Sequence, residues 1–102
     1  EGTLILAHLG AAGAAAGDLD GALEVYSEAQ AIRRRLGLME TPEGAQLLCS
    51  VGAVQAKKKE WGLALELYDK ARKIREETGS MESPDGASLL VNVGVARRAR
   101  KE

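Results

Sequence analysis

A repeat of 42 residues runs through this chain and limits its fold more than any other feature. When residues 1–60 are aligned with residues 43–102, 25 of the 60 pairs are identical, whereas composition alone predicts about one match in fifteen. The identities favour the residues that build helix cores and turns. The chain therefore contains about two and a half copies of one structural unit. Matched pairs include Gly10 with Gly52, Tyr26 with Tyr68, and Pro42 with Pro84.

The first helix of each copy is predicted to begin at a proline. Thr41-Pro42 and, one period later, Ser83-Pro84 combine a hydroxyl that can cap free amides with a proline that loses no hydrogen bond at the first helical position. Leucine and valine then recur at three- and four-residue spacing, which is typical of an amphipathic helix.

The second helix of each copy is predicted to follow a tight turn. Asp18 or Glu60 can serve as its N-cap, and Gly37 or Gly79 suits a left-handed C-terminal cap. We therefore predict five helices, over residues 2–16, 19–36, 42–58, 61–78 and 84–100. The core stripe of the first such helix would contain Leu19, Ala22, Leu23, Tyr26, Ala29, Ile32 and Leu36.

Helices of this length need neighbours to bury their apolar faces. A chain of 102 residues is one domain at most, so we expect each helix pair to stack on the next in an all-α solenoid. Glycine and alanine would let the helices approach closely, and Tyr26 and Tyr68 would be the large buried side chains. The chain begins at Glu1 without methionine, and we expect it to be part of a longer repeat array.

The spacing Leu48, Val51, Gly52, followed by Ala64, Tyr68 and Ala71, resembles the tetratricopeptide repeat, which alternates large and small residues at these intervals. The usual period of that family is about 34 residues, and the 42-residue period looks like the kinesin-light-chain type. The resemblance covers nearly the whole chain and implies a right-handed superhelix of antiparallel helix pairs. Gly13, Gln55 and Arg97 depart from the aromatic residue that the family often has near the end of the first helix.

In proteins of this family, first helices line a concave groove that binds an extended peptide or a partner helix. The resemblance therefore implies a protein-binding scaffold. Asn92 occupies a position where the family often holds a ligand backbone, but the basic clamp of chaperone-tail receptors is absent. The implied groove residues are Leu4, Ala7, His8 and Ala11 in the first copy, Gln46, Cys49, Ser50, Ala53 and Lys57 in the second, and Ser88, Val91, Asn92 and Val95 in the third.

Self-association is the alternative function. The last predicted helix has no second helix after it, so we expect Leu89, Val93 and Ala96 to remain uncovered and to favour contact with another copy of the chain. The partner in this hypothesis is the same protein, bound through the groove or through the last helix.

The remaining polar residues favour neither catalysis nor another class of ligand. His8 has no second histidine, cysteine or carboxylate at metal-ligand spacing, and Cys49 has only His8 as a conceivable base. We therefore expect no enzyme activity, cofactor or metal site. The runs Arg33-Arg34-Arg35 and Lys57-Lys58-Lys59 occupy predicted helix ends, where cations are favourable.

Charge and cysteine content give the remaining expectations. A formal net charge of −1 provides no field that would attract nucleic acid or anionic lipid. The longest nearly uncharged stretch, residues 2–17, is too short to span a bilayer. A single cysteine fits a reducing compartment, so we expect a cytoplasmic protein that binds neither nucleic acid nor membranes.

Overall fold

The helix boundaries follow the turn and capping residues of the repeat. The computed structural model describes residues 3–101, in which five α-helices and no strand are present. The all-α class and the five helices are thus confirmed. The observed ends differ from the predicted ones by at most one residue, and residue 2, predicted to begin the first helix, lies outside the described residues. The helices are α1 Thr3–Ala15, α2 Leu19–Arg35, α3 Pro42–Lys57, α4 Trp61–Thr78 and α5 Pro84–Ala99.

Two of the predicted N-caps form as expected, at the starts of α3 and α5. The side-chain oxygen of Thr41 accepts a hydrogen bond from the amide of Gly44, and that of Ser83 accepts one from Gly86, each at 3.0 Å. These bonds satisfy amides that the first turn of a helix leaves without partners. The prolines that follow occupy the first helical turn.

The N-caps of α2 and α4 differ from each other. Both residues occupy the predicted N-cap position, and the Asp18 carboxylate accepts a hydrogen bond from the Gly21 amide at 3.1 Å, whereas the Glu60 side chain makes no cap bond. The two residues have nearly the same backbone angles, so the side chain accounts for the difference. Glutamate is one methylene longer than aspartate, and the short acceptors are those preferred at N-caps.

Glycines end α2 and α4 as predicted. Gly37 and Gly79 have φ angles of 71° and 68°, in the left-handed region that glycine enters without steric cost. Leu36, predicted to belong to the core stripe of α2, is instead 52% exposed. It lies past the last helical residue, at the C-cap, where the chain turns away from the packed face.

The helices pack mainly on their neighbours in sequence. The closest pairs are α1 with α2 and α3 with α4, while α2 also contacts α3 and α4 contacts α5. Each pair is joined by three residues, which makes it a helical hairpin. One buried cluster surrounds Tyr26 between the first hairpin and α3, and a second surrounds Tyr68 between the second hairpin and α5.

The two tyrosines are the large buried side chains that the repeat predicts. Tyr26 is 3% exposed and Tyr68 is 2% exposed. A Cβ atom on Gly10 would lie 2.5 Å from Cε1 of Tyr26, and one on Gly52 would lie 2.7 Å from Cε1 of Tyr68. Glycine is therefore required for the rings to seat against α1 and α3. Burial raises the pKa of Tyr68 to about 12, because the phenolate would lose its hydration.

The face of α5 that packs against α4 differs from the prediction. Leu89, Val93 and Ala96, expected to be uncovered, are buried in the cluster around Tyr68, because they face α4. The exposed apolar side chains of α5 are Leu90, Val91 and Val95. As for the membrane, no helix within residues 3–101 is both long and apolar enough to cross a bilayer.

Candidate protein-binding cleft

A cleft of about 420 Å³ lies among α1, α3, the start of α5 and the chain that leads into α5. Its exposed surface is mostly apolar. The residues that line it come from the first two copies of the repeat and from the first turn of α5, which begins the third copy. They are Thr3, Leu4, Ala7, Arg33, Pro42, Glu43, Gln46, Leu47, Ser50, Arg75, Ser80, Ser83 and Asp85.

The structure brings four of the groove residues named from the sequence into this cleft. Leu4 and Ala7 lie on α1, and Gln46 and Ser50 lie on α3. Ser50 also forms a side-chain hydrogen bond with Tyr26 of α2, which lowers the pKa of the phenol, although burial raises that pKa more. The same serine thus joins the cleft to the buried cluster beneath it.

The other groove residues named from the sequence lie outside the cleft lining. Ala53 and Asn92 are half-buried, and Cys49 is buried. The exposed ones do not line the cleft. The exposed groove residues are His8, Ala11, Lys57, Ser88, Val91 and Val95.

Cys49 differs from its predicted position on the groove. Its side chain is 6% exposed and belongs to the cluster around Tyr68, and the Asn92 amide lies 3.7 Å from its Sγ atom. Burial raises the pKa of the Cys49 thiol, although the hydrogen bond with Asn92 and the charge of Arg75 oppose that rise. A buried thiol with a raised pKa is a poor nucleophile. Cys49 therefore acts as a core residue and does not present its side chain to a ligand.

Arg75 is a cleft residue that sequence reasoning missed. Its side chain is 3% exposed, and its guanidinium donates hydrogen bonds to the Ser80 carbonyl at 3.1 Å and to Oε1 of Gln46 at 3.3 Å. Nη2 also lies 3.8 Å from Oδ2 of Asp85. Arg75 thus connects α4 to α3 and to the chain that enters α5, and it fixes the shape of the cleft wall.

Arg33 repeats this arrangement one period earlier. Its Nη1 donates to the Leu38 carbonyl at 3.1 Å, five residues on, as Arg75 does to Ser80. The sequence interpretation grouped Arg33 with the solvated cations at the helix end. The repeat held a signal against that grouping, since Arg33 matches Arg75 across 42 residues, whereas Arg34 and Arg35 match acidic residues.

The electrostatics of the cleft are balanced. Two arginines and two carboxylates, Glu43 and Asp85, line it, so their formal charges cancel. The carboxylates belong to the first turns of α3 and α5, where they interact favourably with the helix dipoles. An apolar surface with hydroxyl, amide and balanced charged groups at its edge suits a peptide segment better than a highly charged ligand.

The described residues contain no arrangement that points to a metal. Within residues 3–101, no group of three or more histidine, cysteine, aspartate or glutamate side chains could hold a metal ion. A comparison with protein-family models finds no match, and a comparison with curated proteins finds no significant match either.

Proposed function

We propose that this chain is a non-catalytic scaffold of the tetratricopeptide type, which binds a peptide segment or a helix of another protein in the cleft. The observation that carries the proposal is the cleft itself, which opens between first helices of successive repeats. The packing of α2 on α3 and of α4 on α5 fits hairpins stacked in a solenoid, for which the family resemblance implies a right-handed superhelix. The single buried thiol fits a cytoplasmic protein.

The dimensions and chemistry of the cleft suit a short peptide. Its volume of about 420 Å³ falls in the range of ligand sites, roughly 300 to 1,000 Å³. Leu4 and Ala7 offer apolar contact for a side chain of the ligand. Gln46 and Ser50 can hydrogen bond to the backbone of an extended segment. Because the charged residues cancel, we expect ligands with an apolar anchor and no strong net charge.

A displayed library of random peptides tests this proposal. Peptides selected on the immobilised chain should bind Leu4→Glu at least ten-fold more weakly, because the exposed Leu4 forms an apolar wall of the cleft and glutamate replaces that wall with a charge. Fluorescence anisotropy with labelled peptides measures the change, and circular dichroism checks that the variant remains folded.

Leu63→Glu is the matched control for that experiment. Leu63 is also an exposed leucine on a helix, but it is not among the cleft residues. We expect this variant to bind the selected peptides within two-fold of the unmodified chain. Equal loss in both variants, or no selection of peptides at all, would count against the cleft as the binding site.

Self-association is a second candidate, favoured by exposed apolar side chains at both ends of the helix stack. Ile5 and Leu9 are exposed on α1, and Leu90, Val91 and Val95 are exposed on α5. Exposed apolar side chains that lie next to each other on a surface commonly mark an interface. Contact between the ends of two copies would cover both patches.

Multi-angle light scattering tests self-association between 10 µM and 1 mM chain. A self-associating chain should rise above its monomer mass of 10.8 kDa as concentration increases, and Ile5→Glu should reverse that rise by adding a charge to the patch. Leu63→Glu again serves as the control. A constant monomer mass over the whole range would exclude this candidate.

A further inference from the structure

Arg75 determines which end of the Gln46 amide is free to meet a ligand. A hydrogen bond of 3.3 Å joins Nη2 of Arg75 to Oε1 of Gln46. A guanidinium has only donors, so the oxygen of the amide must be the atom that faces it. The Nε2 group of Gln46 is therefore turned away from Arg75, and within residues 3–101 it donates no hydrogen bond. Gln46 is exposed and lines the cleft, so it presents two N–H donors there.

The guanidinium that orients this amide is itself held in place. Arg75 is 3% exposed, and its Nη1 donates to the Ser80 carbonyl at 3.1 Å. If the Gln46 amide turned over, its N–H groups would face the N–H groups of Arg75, and the buried guanidinium would lose an acceptor, which is unfavourable. The donors of Gln46 are thus oriented before a ligand binds, which lowers the cost of binding one.

An acceptor lies near the same guanidinium nitrogen. Oδ2 of Asp85 is 3.8 Å from Nη2 of Arg75, a distance at which the charges attract each other but no hydrogen bond forms. The Asp85 side chain is 64% exposed and lines the cleft. A carboxylate can accept several hydrogen bonds, so Asp85 keeps the capacity to accept one from a ligand. A donor and an acceptor thus lie close together around Arg75.

This pair of groups matches the backbone of an extended chain. In a β-strand, the N–H and C=O groups of one residue point to the same side, where a neighbouring strand can pair with both. Gln46 can donate to such a carbonyl, and Asp85 can accept from such an N–H. In a helix these groups bond to each other, except near its ends. The pair therefore favours an extended segment over the side of a helix.

We propose that Gln46 and Asp85, positioned by Arg75, make the cleft specific for an extended peptide, with the carbonyl of one ligand residue on Gln46 and its N–H on Asp85. This rests on the proposed function, which allows either a peptide segment or a helix as the ligand. The first copy of the repeat has Leu4 at the position equivalent to Gln46, and Leu4 is 69% exposed. The cleft thus combines one polar contact for the ligand backbone with one apolar contact for a ligand side chain.

Gln46→Glu tests the role of the Nε2 group. The carboxylate has nearly the shape of the amide and still accepts from Arg75, so the melting temperature should stay within about 4 °C of that of the unmodified chain. A carboxylate has no donor, however, and it repels the carbonyl of the ligand. Peptides selected from a displayed random library on the unmodified chain should therefore bind this variant about ten-fold more weakly. Fluorescence anisotropy measures the change.

Gln55→Glu is the matched control. It makes the same change in charge on the same helix, α3, but Gln55 is not among the cleft residues. We expect its affinity for the selected peptides to stay within about two-fold of the unmodified chain. If Gln46→Glu bound as well as Gln55→Glu while Leu4→Glu bound weakly, the role of Gln46 would be overturned and the cleft would remain the binding site.

The conformation of the bound peptide is the second test. Circular dichroism of the complex, after subtraction of the spectrum of the chain, should show no helix in the peptide. A helical difference spectrum would overturn the preference for an extended segment, even if the cleft binds the peptide. A library from which no peptide is selected would overturn this inference together with the proposed function of the cleft.

Discussion

Replacing Tyr68 by alanine is expected to lower the free energy of unfolding by about 3 to 5 kcal/mol. Tyr68 is 2% exposed, and it is the largest side chain in the cluster that joins α3, α4 and α5. The substitution removes the ring and leaves a cavity above Gly52. Since small domains are stable by only about 5 to 15 kcal/mol, this single change would remove a large share of the total. Urea unfolding followed by circular dichroism measures it.

Tyr68→Phe and Leu63→Ala are the controls for this prediction. Phenylalanine keeps the ring against Gly52, so we expect a loss below about 1.5 kcal/mol. Leu63 is exposed on the same helix, and its truncation should change stability by no more than about 0.5 kcal/mol. If Tyr68→Ala cost as little as Leu63→Ala, the ring would not be the buried centre of this cluster.

Much of the fold could be predicted because its determinants are local. Thr41 and Ser83 begin helices, Gly37 and Gly79 end them, and each acts within a few residues of its own position. The repeat then adds independent support, since each signal occurs at least twice. Glu60 occupies the predicted N-cap position, but its side chain makes no cap bond, because the sequence shows an acidic residue at the right place but not the direction of its side chain.

The rotation of α3 was harder to predict. Cys49 and Ser50 are consecutive, and one helical residue corresponds to a rotation of about 100°. In the structure Cys49 faces the core and Ser50 reaches the cleft. Both are small, and apolar residues occur on several faces of α3, so the hydrophobic pattern does not define its rotation to within one residue.

The polar parts of the cleft depend on contacts between residues distant in sequence. Arg75 and Gln46 are 29 residues apart, and no local pattern indicates that their side chains meet. A long arginine side chain can reach either solvent or a neighbouring carbonyl, and composition does not distinguish these. The match of Arg33 with Arg75 was visible in the repeat, but its physical meaning required the positions of the Leu38 and Ser80 carbonyls.

Replacing Gly44 by alanine is expected to lower the free energy of unfolding by about 3 kcal/mol, as severe overpacking of a buried site does. A Cβ atom on Gly44 would collide with the carbonyl oxygen of Met39 and would lie 2.6 Å from its carbonyl carbon. This neighbour is backbone, which cannot rotate away as a side chain can. The backbone just before Met39 is also held in place, because the Leu38 carbonyl accepts hydrogen bonds from the side chains of Thr41 at 2.8 Å and Arg33 at 3.1 Å.

Gly62→Ala separates this steric effect from helix propensity. Gly62 also lies in the first turn of a helix, but among residues 3–101 only Nη1 of Arg100 comes within 4 Å of its added Cβ, at 3.9 Å. Alanine reduces the freedom of the unfolded chain, so we expect Gly62→Ala to stabilise by about 0.4 to 1 kcal/mol. Gly86 repeats the contact of Gly44, with Met81 in place of Met39, and Gly86→Ala should therefore destabilise like Gly44→Ala. If urea titrations gave Gly44→Ala the same free energy of unfolding as Gly62→Ala, the segment that enters α3 would be able to shift without a cost in stability.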